Sequence, residues 1–136
     1  MVEISGLYEG DKHCVLTHGP SKISIHTDAP IDHEGRGEAF SPTDLLAAAY
    51  GSCLMTVMAI YAENNNINLR GSSFKVNKEM KPAPRQVNCL EVELTLPESL
   101  SLEERKILEK IAYTCPVKLS LNPEIKLPIT FHYKSL

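Results

Sequence analysis

The order of local signals predicts an α+β fold, with antiparallel sheets packed on one long, buried central helix. Three observations carry that prediction. Short strand-like segments separated by turn residues come first, and an uncharged run behind a helix-start signal follows. A second set of strands then flanks a capped amphipathic helix. The resulting order, βββ-α-ββ-α-β, is that of segregated strands and helices and not of a βαβ parallel sheet.

The opening strands are expected at residues 2–8, 13–17 and 22–27. Glu9-Gly10-Asp11 and Gly19-Pro20-Ser21 supply the turns between them, since Gly, Pro, Asp and Ser enter turn conformations at low cost. A polar, glycine-rich loop runs from Asp28 to about Phe40 and holds Arg36 between Gly35 and Gly37.

Ser41-Pro42-Thr43-Asp44 then opens a helix. Ser41 is the N-cap, Pro42 takes the first helical position, and Asp44 is placed as a capping-box carboxylate. Residues 45–62, LLAAAYGSCLMTVMAIYA, carry no charge. That run touches the lower limit of a membrane span, roughly 17–25 residues. It is rich in small residues, stands alone in mid-chain and lacks a basic flank, so no membrane partner is expected. A helix buried on all sides is the better reading. One sheet and one small helix can hardly cover it in so short a chain. A second copy is therefore expected to complete the cover, as a homodimer with a large interface.

Asn64-Asn65-Asn66 ends this helix, and strands follow at 72–80 and 86–96 around a loop with Pro82 and Pro84. Ser101, with Glu104 three residues later, forms a second capping box. Ile107, Leu108, Ile111 and Ala112 give the helix behind it one apolar face. Cys115 lies four residues beyond Ile111 and seven beyond Leu108, which places it on the same inward face. Pro116 breaks that helix or starts a new turn. A strand at 126–134 closes a single domain, 1–136.

Composition narrows the class. The 136 residues are enough to bury a core, and 43% apolar with 23% charged residues is a globular balance. A net charge of −3 argues against a nucleic-acid partner. The first residues, MVEISGLYEGDKHC, have neither a basic nor an apolar region, so no secretory signal is read there. Four cysteines without such a signal imply a reducing, cytoplasmic setting. There, thiols are reactive, metal-binding or simply buried.

The chemistry-bearing residues are few. Cys53, in the Gly51-Ser52-Cys53 step, and Cys115 are either small core residues or a working pair. A redox pair needs Cα atoms within about 7 Å, which sequence spacing does not give. Cys14 and Cys89 fall on strands and read as core or sheet residues. His13, His18, His26 and His33 cluster in sequence, and Cys14 with His18 makes a loose C-x3-H. No second pair completes a zinc set, so no metal centre is expected. No Walker loop, Rossmann glycine pattern, G-x-S-x-G or H-E-x-x-H is present, and no cofactor is expected.

The segment from Phe40-Ser41-Pro42-Thr43-Asp44 to Gly51-Ser52-Cys53 resembles the central helix of the OsmC/Ohr family. Thr114-Cys115-Pro116-Val117 resembles that family's second motif, a Cys-Pro pair at the end of the second helix. His18-Gly19-Pro20-Ser21, Thr27-Asp28-Ala29-Pro30 and Gly35-Arg36-Gly37-Glu38 are similar to the OsmC-like branch. The resemblance implies an intertwined homodimer acting as a cysteine-based hydroperoxide reductase in the antioxidant stress response. It implies a peroxidatic Cys53, a resolving Cys115, a small hydroperoxide substrate and an external dithiol reductant.

A free thiol titrates near roughly 8.5 and burial raises it, so a nearby cation must stabilise the thiolate. By the same resemblance Arg36 takes that role, with Lys118 a weaker candidate. Family peroxidases carry a glutamate directly after the proline of the central motif, where it orients the arginine. Here Thr43 stands at that position, with Asp44 beside it and Glu38 available from the loop. Tyr50, Leu54, Met55 and Met58 would favour an apolar peroxide if they line the pocket. Thr43 also supports a different class: a non-catalytic binding module, or a redox sensor, on the same fold.

Overall fold

A computed structural model describes all 136 residues. The chain divides into two compact units, Met1–Leu46 and Ala47–Leu136.

The first unit is an antiparallel meander of β1 (Ile4–Tyr8), β2 (His13–His18) and β3 (Ser24–Asp28). Its register sets Tyr8 opposite Cys14, and His13 opposite Asp28. The turn between β1 and β2 needs left-handed backbone: Gly10, Asp11 and Lys12 have φ of 89°, 52° and 59°. The loop after β3 folds back onto the strand end. Gly35 N–H donates to the Pro30 carbonyl at 3.0 Å, and Gly37 N–H to the Ala29 carbonyl at 3.2 Å. A Cβ on Gly35 would stand 1.8 Å from the Ala29 carbonyl oxygen, so only glycine permits the approach that brings Arg36 back to β3.

The expected first capping box is present at the start of α1 (Pro42–Asn64). Asp44 N–H donates to Ser41 Oγ at 3.0 Å, and Ser41 N–H donates to Asp44 Oδ2 at 2.9 Å. The helix is long and apolar enough to cross a membrane by length and composition alone. Within this chain it buries one stripe: Ala47, Tyr50, Gly51, Leu54, Met58 and Ala62. Ser52, Thr56 and Ile60 are exposed in the single chain. One chain therefore leaves one side of the helix uncovered, as its length and the short chain predict. Gly51 marks the closest approach to the sheet, where a Cβ would meet the Phe74 ring at 2.5 Å and Val76 at 2.8 Å.

That sheet contains β4 (Ser73–Lys81), β5 (Gln86–Pro97) and β6 (Ile129–Lys134) in that order. β5 is central, and Leu90, Val92, Leu94 and Leu96 are fully buried at alternate positions, as a pleated strand demands. β4 and β5 are antiparallel, with a bulge between Glu79 and Met80. β6, however, runs parallel to β5, from Val92 opposite Ile129 to Pro97 opposite Lys134. The expectation of purely antiparallel sheets is corrected here. Helices α2 (Leu102–Ala112) and α3 (Pro116–Ser120) form a crossover that returns the chain to the starting end of β5.

Ser101 and Glu104 make the expected second capping box. The inward face of α2 buries Leu108 and Ala112 and stops there. Cys115 is not on that face, as spacing suggested. It is the N-cap of α3, because Pro116 has no N–H to extend α2 but suits the first position of a new helix.

Candidate thiol site

Cys53 is half-buried on α1, three residues after Tyr50, and Cys115 is fully buried at the start of α3. Both are free thiols, and Cys53 is near enough to act on the Cys115 thiol. Sheet and crossover thus join two cysteines that lie far apart in sequence. Cys115 Sγ accepts the Lys118 N–H at 3.4 Å, so the residue caps α3 with sulfur. Burial pushes the Cys115 thiol above its ordinary value, and the nearby Cys53 pushes the same way. The N–H groups of Lys118 and Val117 pull against this without reversing it. Cys115 is therefore a protonated thiol at neutral pH.

Tyr50 sits on the buried stripe, and its hydroxyl has no hydrogen-bond partner. Burial holds the phenol up at about 12, with Cys115 and Tyr113 adding to the effect. The Lys118 ammonium lies 6.0 Å from the centroid of the Tyr113 ring. Its backbone N–H is the group that bonds Cys115.

In the first unit, Arg36 is half-exposed and pairs with a carboxylate that sequence reasoning missed. Its guanidinium is 3.7 Å from Asp28 Oδ1. Asp28 is buried and also accepts from His13 Nδ1 at 2.5 Å and from the Glu38 N–H at 3.1 Å. The hydrogen bond from His13 chiefly holds the Asp28 carboxyl below its usual range; Glu38 and Arg36 help, while burial opposes. Glu38 enters through its backbone N–H, and Asp28 is the carboxylate paired with Arg36. Thr43 Oγ1 lies 3.3 Å from Ser41 Oγ, within the helix cap, and Asp44 closes the capping box. The signal for Asp28 was its position directly across from His13, which only the strand register reveals. Cys14 and Cys89 lie on β2 and β5, as expected of sheet residues.

The fold is α+β, with two free thiols, Cys53 and Cys115, in its second unit. The chain belongs to the OsmC-like protein family, whose model matches residues 35–130, a span holding Arg36, Cys53 and Cys115. A Psychrobacter arcticus protein assigned to the osmotic stress and detoxification response is 38% identical, covers 97% of this chain and 96% of its own, and superposes with a TM-score of 0.93. An organic hydroperoxide resistance protein OsmC from Legionella pneumophila shares the fold at 19% identity and a TM-score of 0.73, covering 97% and 96%. One from Elizabethkingia anophelis, crystallised with thiocyanate bound, does so at 14% and 0.77, covering 98% and 96%. Among proteins of curated function, none matches this sequence.

Proposed function

We propose that this protein is a thiol-dependent hydroperoxide reductase that works through Cys53 and Cys115. The observation that carries the reading is the proximity of the two free thiols, one half-buried and one sealed. The names of the Legionella and Elizabethkingia proteins, which share the fold, point to organic peroxides as the substrate class.

The chemistry balances with groups this chain supplies. The Cys53 thiolate attacks the distal oxygen of ROOH, the O–O bond breaks, and ROH leaves with a proton from solvent. Cys53 becomes a sulfenic acid. Cys115 then attacks that sulfur and water departs, carrying the Cys115 proton and the sulfenic oxygen. A Cys53–Cys115 disulfide remains. An external dithiol reduces it by two exchange steps and leaves as its own disulfide. With both sulfurs on one chain and close together, the second step is intramolecular, where well-placed groups gain effective molarities of roughly 10⁵ M or more. In this reading Arg36, oriented by Asp28, is the activating cation. A second copy of the chain covers the exposed side of α1, and the protein works in the cytoplasm.

Peroxide titration of the reduced protein tests the proposal, with hydrogen peroxide and an organic hydroperoxide compared. Two thiols should disappear per equivalent, and mass spectrometry should map a Cys53–Cys115 bond. Cys53→Ser should abolish the reaction, and Cys115→Ser should halt at a Cys53 sulfenic acid. Survival of both thiols in excess peroxide would sink the reductase. Thr43, at the position of the family glutamate, favours a second reading: a redox sensor that is oxidised once and turns over slowly. Rapid oxidation without turnover in the presence of dithiols would select it.

A further inference from the structure

We propose that Glu9, His13 and His26 form a binding site for a borderline divalent cation of the zinc type, backed by Asp28. Three elements of the first unit converge there. Glu9 begins the β1–β2 turn, where its N–H donates to the His13 carbonyl at 3.0 Å. His13 opens β2 directly opposite Asp28 of β3, and His26 lies two residues before Asp28. Alternation of side chains along a strand puts His26 and Asp28 on the same face as His13.

The candidate ligand atoms of Glu9, His13 and His26 all lie within 4.8 Å of one another. His13 Nε2 is 2.9 Å from His26 Nδ1 and 3.6 Å from Glu9 Oε1. Atoms held at about 2.0–2.1 Å from a tetrahedral zinc are separated by about 3.4 Å. The observed distances bracket that value.

Protonation favours the same use. Asp28 is buried and accepts the proton of His13 Nδ1, which commits that nitrogen and turns the Nε2 lone pair toward His26 and Glu9. A carboxylate that fixes the far nitrogen of a histidine in this way orients metal-binding imidazoles and raises their basicity. Two imidazole nitrogens and a carboxylate oxygen suit Zn²⁺ better than Mg²⁺ or Ca²⁺, which take oxygen-rich sets. Three protein ligands leave the fourth position open to water or an anion. A proton shared between His13 and its neighbours is the competing occupant of the same space.

The test is calorimetric titration of the reduced protein with Zn²⁺ at neutral pH, with Co²⁺ absorption as a reporter of geometry. The wild type is compared with a Cys53→Ser, Cys115→Ser background, so that thiols do not compete for the metal. One saturable equivalent per chain should persist in that background, with an intense visible Co²⁺ band from low-coordinate binding. His26→Ala, at an exposed position, should weaken binding at least tenfold without loss of fold. His13→Ala and Glu9→Gln should do likewise. Asp28→Asn should cost roughly 10–100-fold through the second sphere. His132→Ala is the control and should change nothing. Binding that disappears with the two cysteines, or that survives His13→Ala and His26→Ala unchanged, overturns the site. So does the absence of any saturable equivalent, which leaves the space to a proton.

Discussion

Replacing Tyr50 by Phe removes one oxygen from the buried stripe of α1, at a side chain with no solvent exposure and a hydroxyl without a partner. A buried polar group left unpaired costs about 1–3 kcal/mol of desolvation. The void left by one oxygen costs only a few tenths, at about 24 cal/mol per Å³. Tyr50→Phe is thus expected to be more stable by about 1–2 kcal/mol at neutral pH. At about 2.1 cal/mol/K of unfolding entropy per residue, that raises Tm by about 3–7 °C. The sign of the pH effect follows from the phenol, which is raised from 10.0 to about 12 in the folded chain. Between those values the folded protein keeps the proton and the unfolded chain releases it, so wild-type stability falls as pH rises through that window. The variant escapes that loss, and its advantage should be larger at pH 10.5 than at pH 7. Urea titrations followed by circular dichroism, in reductant and at both pH values, measure it. A variant less stable than wild type at pH 7 would refute the reasoning, because the hydroxyl would then have a partner in solution.

Gly51→Ala sets two effects against each other. Helix propensity favours alanine by about 1 kcal/mol, whereas the new Cβ would overlap the Phe74 ring at 2.5 Å and Val76 at 2.8 Å. Overpacking of this kind costs about 1–3 kcal/mol, so the urea midpoint should fall. An unchanged or higher midpoint would mean that Phe74 swings aside freely. Ser101→Ala removes the acceptor of the Glu104 N–H, a 3.1 Å bond in the α2 capping box. It should cost about 1 kcal/mol, and Ser101→Gly only a few tenths. Equal losses in the two variants would argue against a capping role.

Much of this architecture was legible because it is local. Both capping boxes, the strand segments and the two motif cysteines follow from neighbours within a few positions. What escaped is set by pairing at a distance. The direction of β6 relative to β5 depends on how α2 and α3 carry the chain back, and nothing within residues 126–134 encodes it. Asp28 as the partner of Arg36 needs the β2–β3 register, because the loop sequence offers Glu38 and Thr43 first. The uncharged run of α1 signalled burial from composition, but which side this chain covers itself, leaving Ser52 and Thr56 exposed, depends on how the sheet packs against it. The proximity of Cys53 to Cys115 belongs to the same category: the motifs name the residues, and only the assembled second unit brings the sulfurs together.

The place of Cys115 within the β5–β6 crossover gives oxidation a thermodynamic consequence. Cys53 and Cys115 stand 62 residues apart along the chain. A covalent link between them would tie the middle of α1 to the only connection between the two parallel strands. Closing a loop of that length removes enough freedom from the unfolded chain to be worth about 4 kcal/mol in the chain-entropy picture, if the bond forms without strain. The reduced form, ready to react, would be the less stable molecule, and the oxidised form the more durable one. Resistance to heat and to protease would then report the recent oxidation history of the molecule.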